Sequence, residues 1–237
     1  MRSIKWNIFF ITFTFCICIC VIGYTAIKMS DNTIVMTDLN TDDLVLIYDA
    51  GHGGIDGGCS TVDGKVEKNI NLNISLSLCD LSRFFGYNVE MTRNTDKSIH
   101  DKGITGIRNQ KISDMKNRLE LFNKYQNAVC ISIHQNTYSD SQFNGAQMFY
   151  SDKNSASEQL AALMQQQFIN NLQPHNQREI KLCGDELYLC YFCNNPAVMV
   201  ECGFLSNLDD ARNLTNFDYQ KKVAFTVFTG VNNYVTM

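Results

Sequence analysis

Three short segments of this chain hold side chains able to do hydrolytic chemistry. Asp49-Ala50-Gly51-His52-Gly53-Gly54 follows the apolar run 44–48. Ser132-Ile133-His134-Gln135-Asn136 ends a second apolar run. Val200-Glu201-Cys202-Gly203 ends a third, and Glu67 opens the long segment after the first loop. Two imidazoles and a carboxylate fill three corners of a tetrahedral zinc site and leave the fourth open, as catalytic sites require. One carboxylate leaves such a centre a net positive charge, and a further carboxylate nearby can carry a proton. Glycines around His52 let the backbone bend tightly and let a ligand approach. Each piece alone has a plainer reading. A histidine at a strand end is usually packed or solvated, and a glutamate at a helix start complements the dipole. Gly-Gly is usually a turn, and Asp49 reads equally as a supporting partner or as turn chemistry. His100 and His175 lie in polar stretches and are assigned no role.

The elements that must position these groups alternate between strand and helix. Strands are expected over 44–48, 87–92, 128–133, 147–150 and 197–200, from continuous or alternating apolar runs. Helices are expected over 112–125 and 155–172, the latter stopping before Pro174. Ser206-Asn207-Leu208-Asp209 reads as an N-cap followed by an acid, and a last helix runs from about Tyr219. Residues 69–78 alternate strictly, which is strand-like. Yet Ile70, Ile74, Leu78, Leu81 and Phe85 share one helical face, and the stretch from Glu67 to the stop at Gly86 is too long for an ordinary strand. It reads as helix. Buried strands between helices imply an α/β fold: a central, mostly parallel or mixed sheet with helices on both faces.

The 237 residues suffice for one domain and an appendage. Two prolines and no low-complexity tract exclude long linkers. A formal charge of −4 argues against sequence-independent nucleic-acid binding, which needs a basic face. No charge occurs from Trp6 to Ile27, and that run is long enough to span a bilayer. Arg2 and Lys5 before it favour a cytoplasmic N-terminus. Residues 1–28 are therefore expected to form one N-terminal transmembrane signal-anchor helix. Residues 29–43 would be a polar tether, and residues 44–237 an exported catalytic domain. Cleavage near Gly23 would release the domain as a secreted protein. Of the ten cysteines, Cys16, Cys18 and Cys20 fall in the apolar run. The other seven are odd in number and show no disulfide spacing, so Cys190-Tyr191-Phe192-Cys193 reads first as buried small side chains.

The soluble segment resembles the zinc-dependent N-acetylmuramoyl-L-alanine amidases. Asp49 to Gly54 matches the family's Asp-x-Gly-His-Gly-Gly, with Ala50 where proline is usual. Glu67 matches the helix-opening glutamate after Asp56-Gly57-Gly58. Ser132 to Asn136 and Glu201 to Asn207 match two further segments. Met91-Thr92-Arg93, Asn117-Arg118-Leu119 and Gly145-Ala146-Gln147 add to the likeness. The resemblance covers about residues 44–235, with a closer similarity to the sporulation branch that matures spore cortex for germination. It implies that His52, Glu67 and His134 bind Zn2+, that Glu201 is the catalytic acid/base, and that Asn136 touches substrate. It further implies peptidoglycan as substrate and a peptidoglycan deacetylase acting afterwards to form muramic-δ-lactam. A lipoprotein partner and a location between the membranes of the forming spore follow from the same branch. Two other readings stay open on the residues alone: a non-catalytic peptidoglycan-binding module, and a zinc peptidase acting within the stem peptide.

Overall fold

The computed structural model describes residues 43–237. The expected anchor and all but the last residue of the tether lie outside the described residues. Among the described residues, no helix is long and apolar enough to cross a membrane.

Six strands form one mixed sheet in the order β2-β1-β3-β6-β4-β5. They are β1 (Val45–Ala50), β2 (Asn88–Met91), β3 (Ala128–Asn136), β4 (Gln147–Tyr150), β5 (Lys181–Leu182) and β6 (Ala197–Phe204). β2, β1, β3 and β6 run parallel, while β4 is antiparallel to β6 and parallel to β5. The helices are α1 (Glu67–Phe84), α2 (Ile107–Phe122), α3 (Ala156–Asn171), α4 (Tyr188–Phe192), α5 (Leu208–Leu214) and α6 (Phe217–Val235). The expected α/β architecture is present, with helices on both faces.

Alternate residues of the central strands point to opposite faces. Leu46, Tyr48, Val129, Ile131, Ile133, Val198 and Val200 enter the larger apolar core, which α1, α3 and α6 cover. Ile47, Ala128, Cys130 and Ala197 enter a smaller cluster with Phe122 of α2 and Leu189 of α4. The segment of ambiguous period is helical. Ile70, Ile74, Leu78 and Ser82 are buried four residues apart, so the apolar stripe of a helix overrode the alternation.

Several boundaries differ from expectation. α2 begins at Ile107, not at residue 112, and ends at Phe122. Its first turns are polar and solvated, which hides a helix start from apolar periodicity. α5 is capped by Asn207, whose side chain accepts from the Asp209 and Asp210 amides, so the cap lies one residue beyond Ser206. The last helix starts at Phe217, capped by Asn216. β3 and β6 run on through His134 and Glu201, so these residues sit within strands and not beyond them. β5 and α4 went unforeseen because two and five residues are too short to show a period. The seven cysteines among the described residues are free thiols, and all except Cys59 are buried.

Candidate active site

Parallel strands deliver their C-terminal ends to one edge of the sheet, where functional groups of open α/β folds gather. His134 and Glu201 are register partners on β3 and β6, so their side chains share one face on adjacent strands. β1 ends at Ala50, and the chain turns through His52 and the glycines before entering α1 at Glu67. Glu67 is thereby placed under both imidazoles. His52 Nε2 lies 3.2 Å and His134 Nδ1 3.1 Å from Glu67 Oε1. The two rings stand edge to face, with centroids 4.9 Å apart.

One donor atom from each of His52, Glu67 and His134 lies within 4.8 Å of the others. Two imidazoles and a carboxylate with donor atoms this close could hold a divalent metal ion, and zinc suits that donor set. The surroundings are cut to this cluster. A Cβ at Gly51 would fall 2.2 Å from His134 Nε2. A Cβ at Gly58, where φ is +70°, would fall 2.4 Å from Glu67 Oε2.

Polar partners fix His52 and Glu67. His52 Nδ1–H donates to Asp56 Oδ2 at 3.0 Å, which leaves Nε2 as the atom that faces Glu67. Asp56 is held in turn by Lys111 at 2.8 Å. Burial lowers the His52 pKa, but Glu67 and Asp56 outweigh it and raise it to about 8. Burial pushes the Glu67 carboxyl up, yet His134 and His52 outweigh it and hold it far below the usual range. Glu67 also accepts the Gln135 amide at 3.0 Å, Asn71 Nδ2 at 3.1 Å and the Cys59 amide at 2.9 Å. Glu201 is the opposite case. Its Oε2 is enclosed and has no hydrogen-bond partner among the described residues. Burial pushes its carboxyl up to about 7, with His134 opposing. A carboxyl that titrates near neutrality can both take and return a proton.

His52 has φ +61°, a backbone conformation that non-glycine residues seldom adopt. Such a conformation costs about 1–3 kcal/mol and persists where the surroundings over-determine it. Two buried arginines do this here. Arg93 Nε donates to the carbonyls of Ala50 (2.8 Å) and His52 (2.7 Å), and Nη2 donates to Gly51 (2.9 Å). Arg118 donates to the Ala50 carbonyl at 2.9 Å and to the His52 carbonyl at 2.7 Å. It also pairs with Asp49 and, at 2.7 Å, with Asp114. Asp49 accepts from Ser132 Oγ at 2.6 Å and Thr92 Oγ1 at 2.7 Å. Burial would raise its pKa, but Arg118, His134 and these hydroxyls bring it to about 2. Asp49 is therefore a partner that holds the loop, the first of the two readings the sequence left open.

The structure thus brings His52, Glu67, His134 and Glu201 together. His52, His134 and Glu201 line a cavity of about 380 Å³, with Asp49, Arg118 and Met199 in its wall. Asn136 is engaged elsewhere, its Oδ1 accepting the Thr137 amide at 2.8 Å, and it does not line that cavity. Asp56, Arg93 and Arg118 were missed as functional residues. Asp56 stands four residues after His52, a spacing that could have flagged it. The arginines stand only within family-like segments with no role assigned, because the Ala50–His52 carbonyls they hold are distant in sequence. Cys190 and Cys193 are buried on the opposite side of the sheet from the main core, Cys193 in the cluster that holds Cys130 and Cys190 in the one that holds Cys183 and Met199.

The profile of the N-acetylmuramoyl-L-alanine amidase family matches residues 45–233. The chain belongs to this family. It is 33% identical over 193 residues to the germination-specific N-acetylmuramoyl-L-alanine amidase of Bacillus subtilis strain 168, covering 81% of this chain and 80% of that protein. Among solved structures it is similar to the CwlD amidase of Clostridioides difficile in complex with the GerS lipoprotein. That match has 36% identity and a TM-score of 0.78, and covers 81% of this chain and 98% of that one. The catalytic domain of CwlV from Bacillus (Paenibacillus) polymyxa var. colistinus matches at 26% identity and a TM-score of 0.67, over 81% and 98% of the two chains. The amidase is accordingly an enzyme acting on peptidoglycan, which removes the non-catalytic binding module as a reading.

Proposed function

We propose that this amidase hydrolyses the amide between the lactyl group of N-acetylmuramic acid and L-alanine, using zinc held by His52, Glu67 and His134. The observation that carries the reading is the convergence of both imidazoles on Glu67 Oε1, with the orphaned Glu201 carboxyl one strand away. Bound by these residues, zinc supplies Lewis acidity toward water and the scissile carbonyl. Asp56 keeps His52 in the tautomer that presents Nε2, and the arginine-held carbonyls fix the ring's approach. Glu201, in its ionised form, takes a proton from the attacking water. It then delivers that proton to the alanine nitrogen as the carbon–nitrogen bond breaks, because an unprotonated amine leaves poorly. The products are a peptide-free lactyl carboxylate on the glycan and a stem peptide with a free amino terminus.

The relatives support a role in spore cortex maturation. In that setting peptide removal precedes muramic-δ-lactam formation by a deacetylase. The CwlD structure with a lipoprotein supports a partner of that kind. The apolar run 6–27 supports export and membrane anchoring in the space between the spore membranes. The test is mass spectrometry of muropeptides from spore cortex and vegetative wall, digested with and without a chelator. Peptide-free muramic acid with intact stem peptides, abolished by chelation and restored by zinc, is expected. Shortened stem peptides would overturn the reading in favour of a peptidase.

A further inference from the structure

The Gly145-Ala146-Gln147 segment has no part in the chemistry above, yet it lies beside it. Gln147 on β4 is the register partner of Glu201 on antiparallel β6, so the two side chains share a face. The Gln147 amide is tied at both ends to one loop. Its Nε2 donates to the Glu179 carbonyl at 2.9 Å, and its Oε1 accepts from Arg178 Nη2. Asn176 Oδ1 accepts the Arg178 amide at 2.9 Å, which anchors the same loop from below. The Arg178 guanidinium lies over the Phe204 ring, 4.8 Å from its centroid. The side chain is thus stacked, braced and aimed, a pre-organised planar fork.

What Arg178 lacks is an anion. Its Nε is enclosed and has no hydrogen-bond partner among the described residues, and the residue is in no ion pair among them. The carboxylate that acts on it electrostatically is Asp210, whose Oδ2 already accepts from the Gly145 and Phe204 amides. Burial lowers the Arg178 pKa only from its very high ordinary value, so the charge remains. Other cations around the site are spoken for. Lys111 pairs with Asp56, Lys68 with Asp96, and Arg118 with Asp49 and Asp114. Three residues further along the chain, Lys181 of β5 projects over the Phe149 ring at 5.7 Å and adds a second positive charge to this edge.

The order across this face is His134, Glu201, Gln147, Arg178. A substrate whose scissile bond sits at Glu201 therefore has a carboxylate-reading group two positions away. On the glycan side of that bond there is no charge, because the muramic carboxyl group is the acyl half of the amide and the amine is acetylated. Every carboxylate lies on the peptide side, and the first belongs to the glutamate that follows L-alanine. We propose that Arg178, braced by Gln147, is a specificity-determining residue that binds the α-carboxylate of this glutamate and so fixes the peptide's direction across the sheet edge. The proposal rests on the amide-hydrolysis reading above. A phosphate of an anionic wall polymer offers similar chemistry, so the test is arranged to separate the two.

The experiment uses the full chain loaded with zinc and soluble N-acetylmuramoyl-tripeptides free of wall polymer. The glutamate carries either an α-carboxylate or an α-carboxamide. Turnover is followed with mass-spectrometric identification of products, and binding is measured by calorimetry on the Glu201→Gln background. A charge-assisted contact predicts a preference of about ten-fold or more for the carboxylate. The preference should reside in KM and in calorimetric affinity. Arg178→Gln should collapse it toward unity, and Arg178→Lys should keep part of it. Glycerol phosphate serves as the competing anion. Loss of the carboxylate preference in Arg178→Gln supports the proposal. No preference in the parent protein, a preference that survives Arg178→Gln, or an equal loss on both substrates overturns it. So does an effect seen only against glycerol phosphate. If the mass spectra show a different bond cut while the binding preference holds, the hydrolysis reading has failed and the carboxylate contact has not.

Discussion

The two faces of the central sheet are made by alternate residues of the same strands, and they are built on opposite principles. On one face Leu46, Ile131, Ile133 and Val200 are sealed under α1, α3 and α6, and any hydrocarbon of similar volume would serve. On the other, Asp49, Ser132, His134 and Glu201 follow one another from β1 to β6, and the first three are held by named polar partners. A period of two lets one strand supply both. The cost falls on the polar face, where a buried charge is tolerable only if opposed. Arg118 and Arg93 oppose it there. They also bind the carbonyls of residues 50–52, so the charge that neutralises the sheet also shapes the loop that presents His52.

The sharpest way to break this contrast is at Glu201, the polar-face residue whose Oε2 has no hydrogen-bond partner among the described residues. Glu201→Gln keeps the shape and removes the proton carrier. Turnover should fall about 10²–10⁴-fold, with zinc content and thermal stability undiminished, because a neutral amide is easier to bury than a carboxylate. Near-normal turnover of the purified variant would take the residue out of the mechanism.

How much of this contrast can be read from the chain differs between the faces. The apolar face is written locally, as runs such as Val129, Ile131 and Ile133, and the strands they form are found where expected. The candidate site residues stand out by type and by family likeness, and His52, Glu67, His134 and Glu201 do meet. What holds them is not local. Arg93 serves carbonyls more than 40 residues away, and Arg118 reaches Asp49 across 69 residues. No periodicity reports such a pairing, and a buried arginine reads as a surface one until the fold is known. β5 and α4 escaped for a simpler reason: they are shorter than the period that would identify them.

A second pair of variants sets the faces directly against each other. Arg118→Met leaves Asp49 buried without its paired cation and removes one of the two arginine donors on the His52 carbonyl. Removing one partner of a buried pair costs about 3–5 kcal/mol, and zinc should be lost on dialysis where the parent protein keeps it. Ile131→Ala opens a cavity on the apolar face and costs about 2–5 kcal/mol. Its folded fraction should keep zinc and turnover. Urea unfolding, metal content and specific activity per folded molecule separate the two. Equal zinc loss in both variants would mean that the faces are not independent.

The smallest effect is also the most specific to the polar face. Asp49 has a folded pKa of about 2 against an ordinary value of 3.8. A carboxylate depressed by folding adds stability that is fully present above its unfolded pKa. That stability drains away as pH falls through the unfolded value toward the folded one. Unfolding free energy should therefore fall by about 2 kcal/mol between roughly pH 5 and pH 2 on account of this group alone. Asp49→Asn should flatten that part of the curve while lowering stability at neutral pH, since Arg118 then keeps only Asp114 as a carboxylate partner. Ile131→Ala should shift the whole curve down without changing its slope, because a cavity in hydrocarbon binds no protons. Parallel acid limbs in Asp49→Asn and the parent protein would show that the buried aspartate is not what ties the folded state to pH, and that the arginine clamp acts through the carbonyls alone.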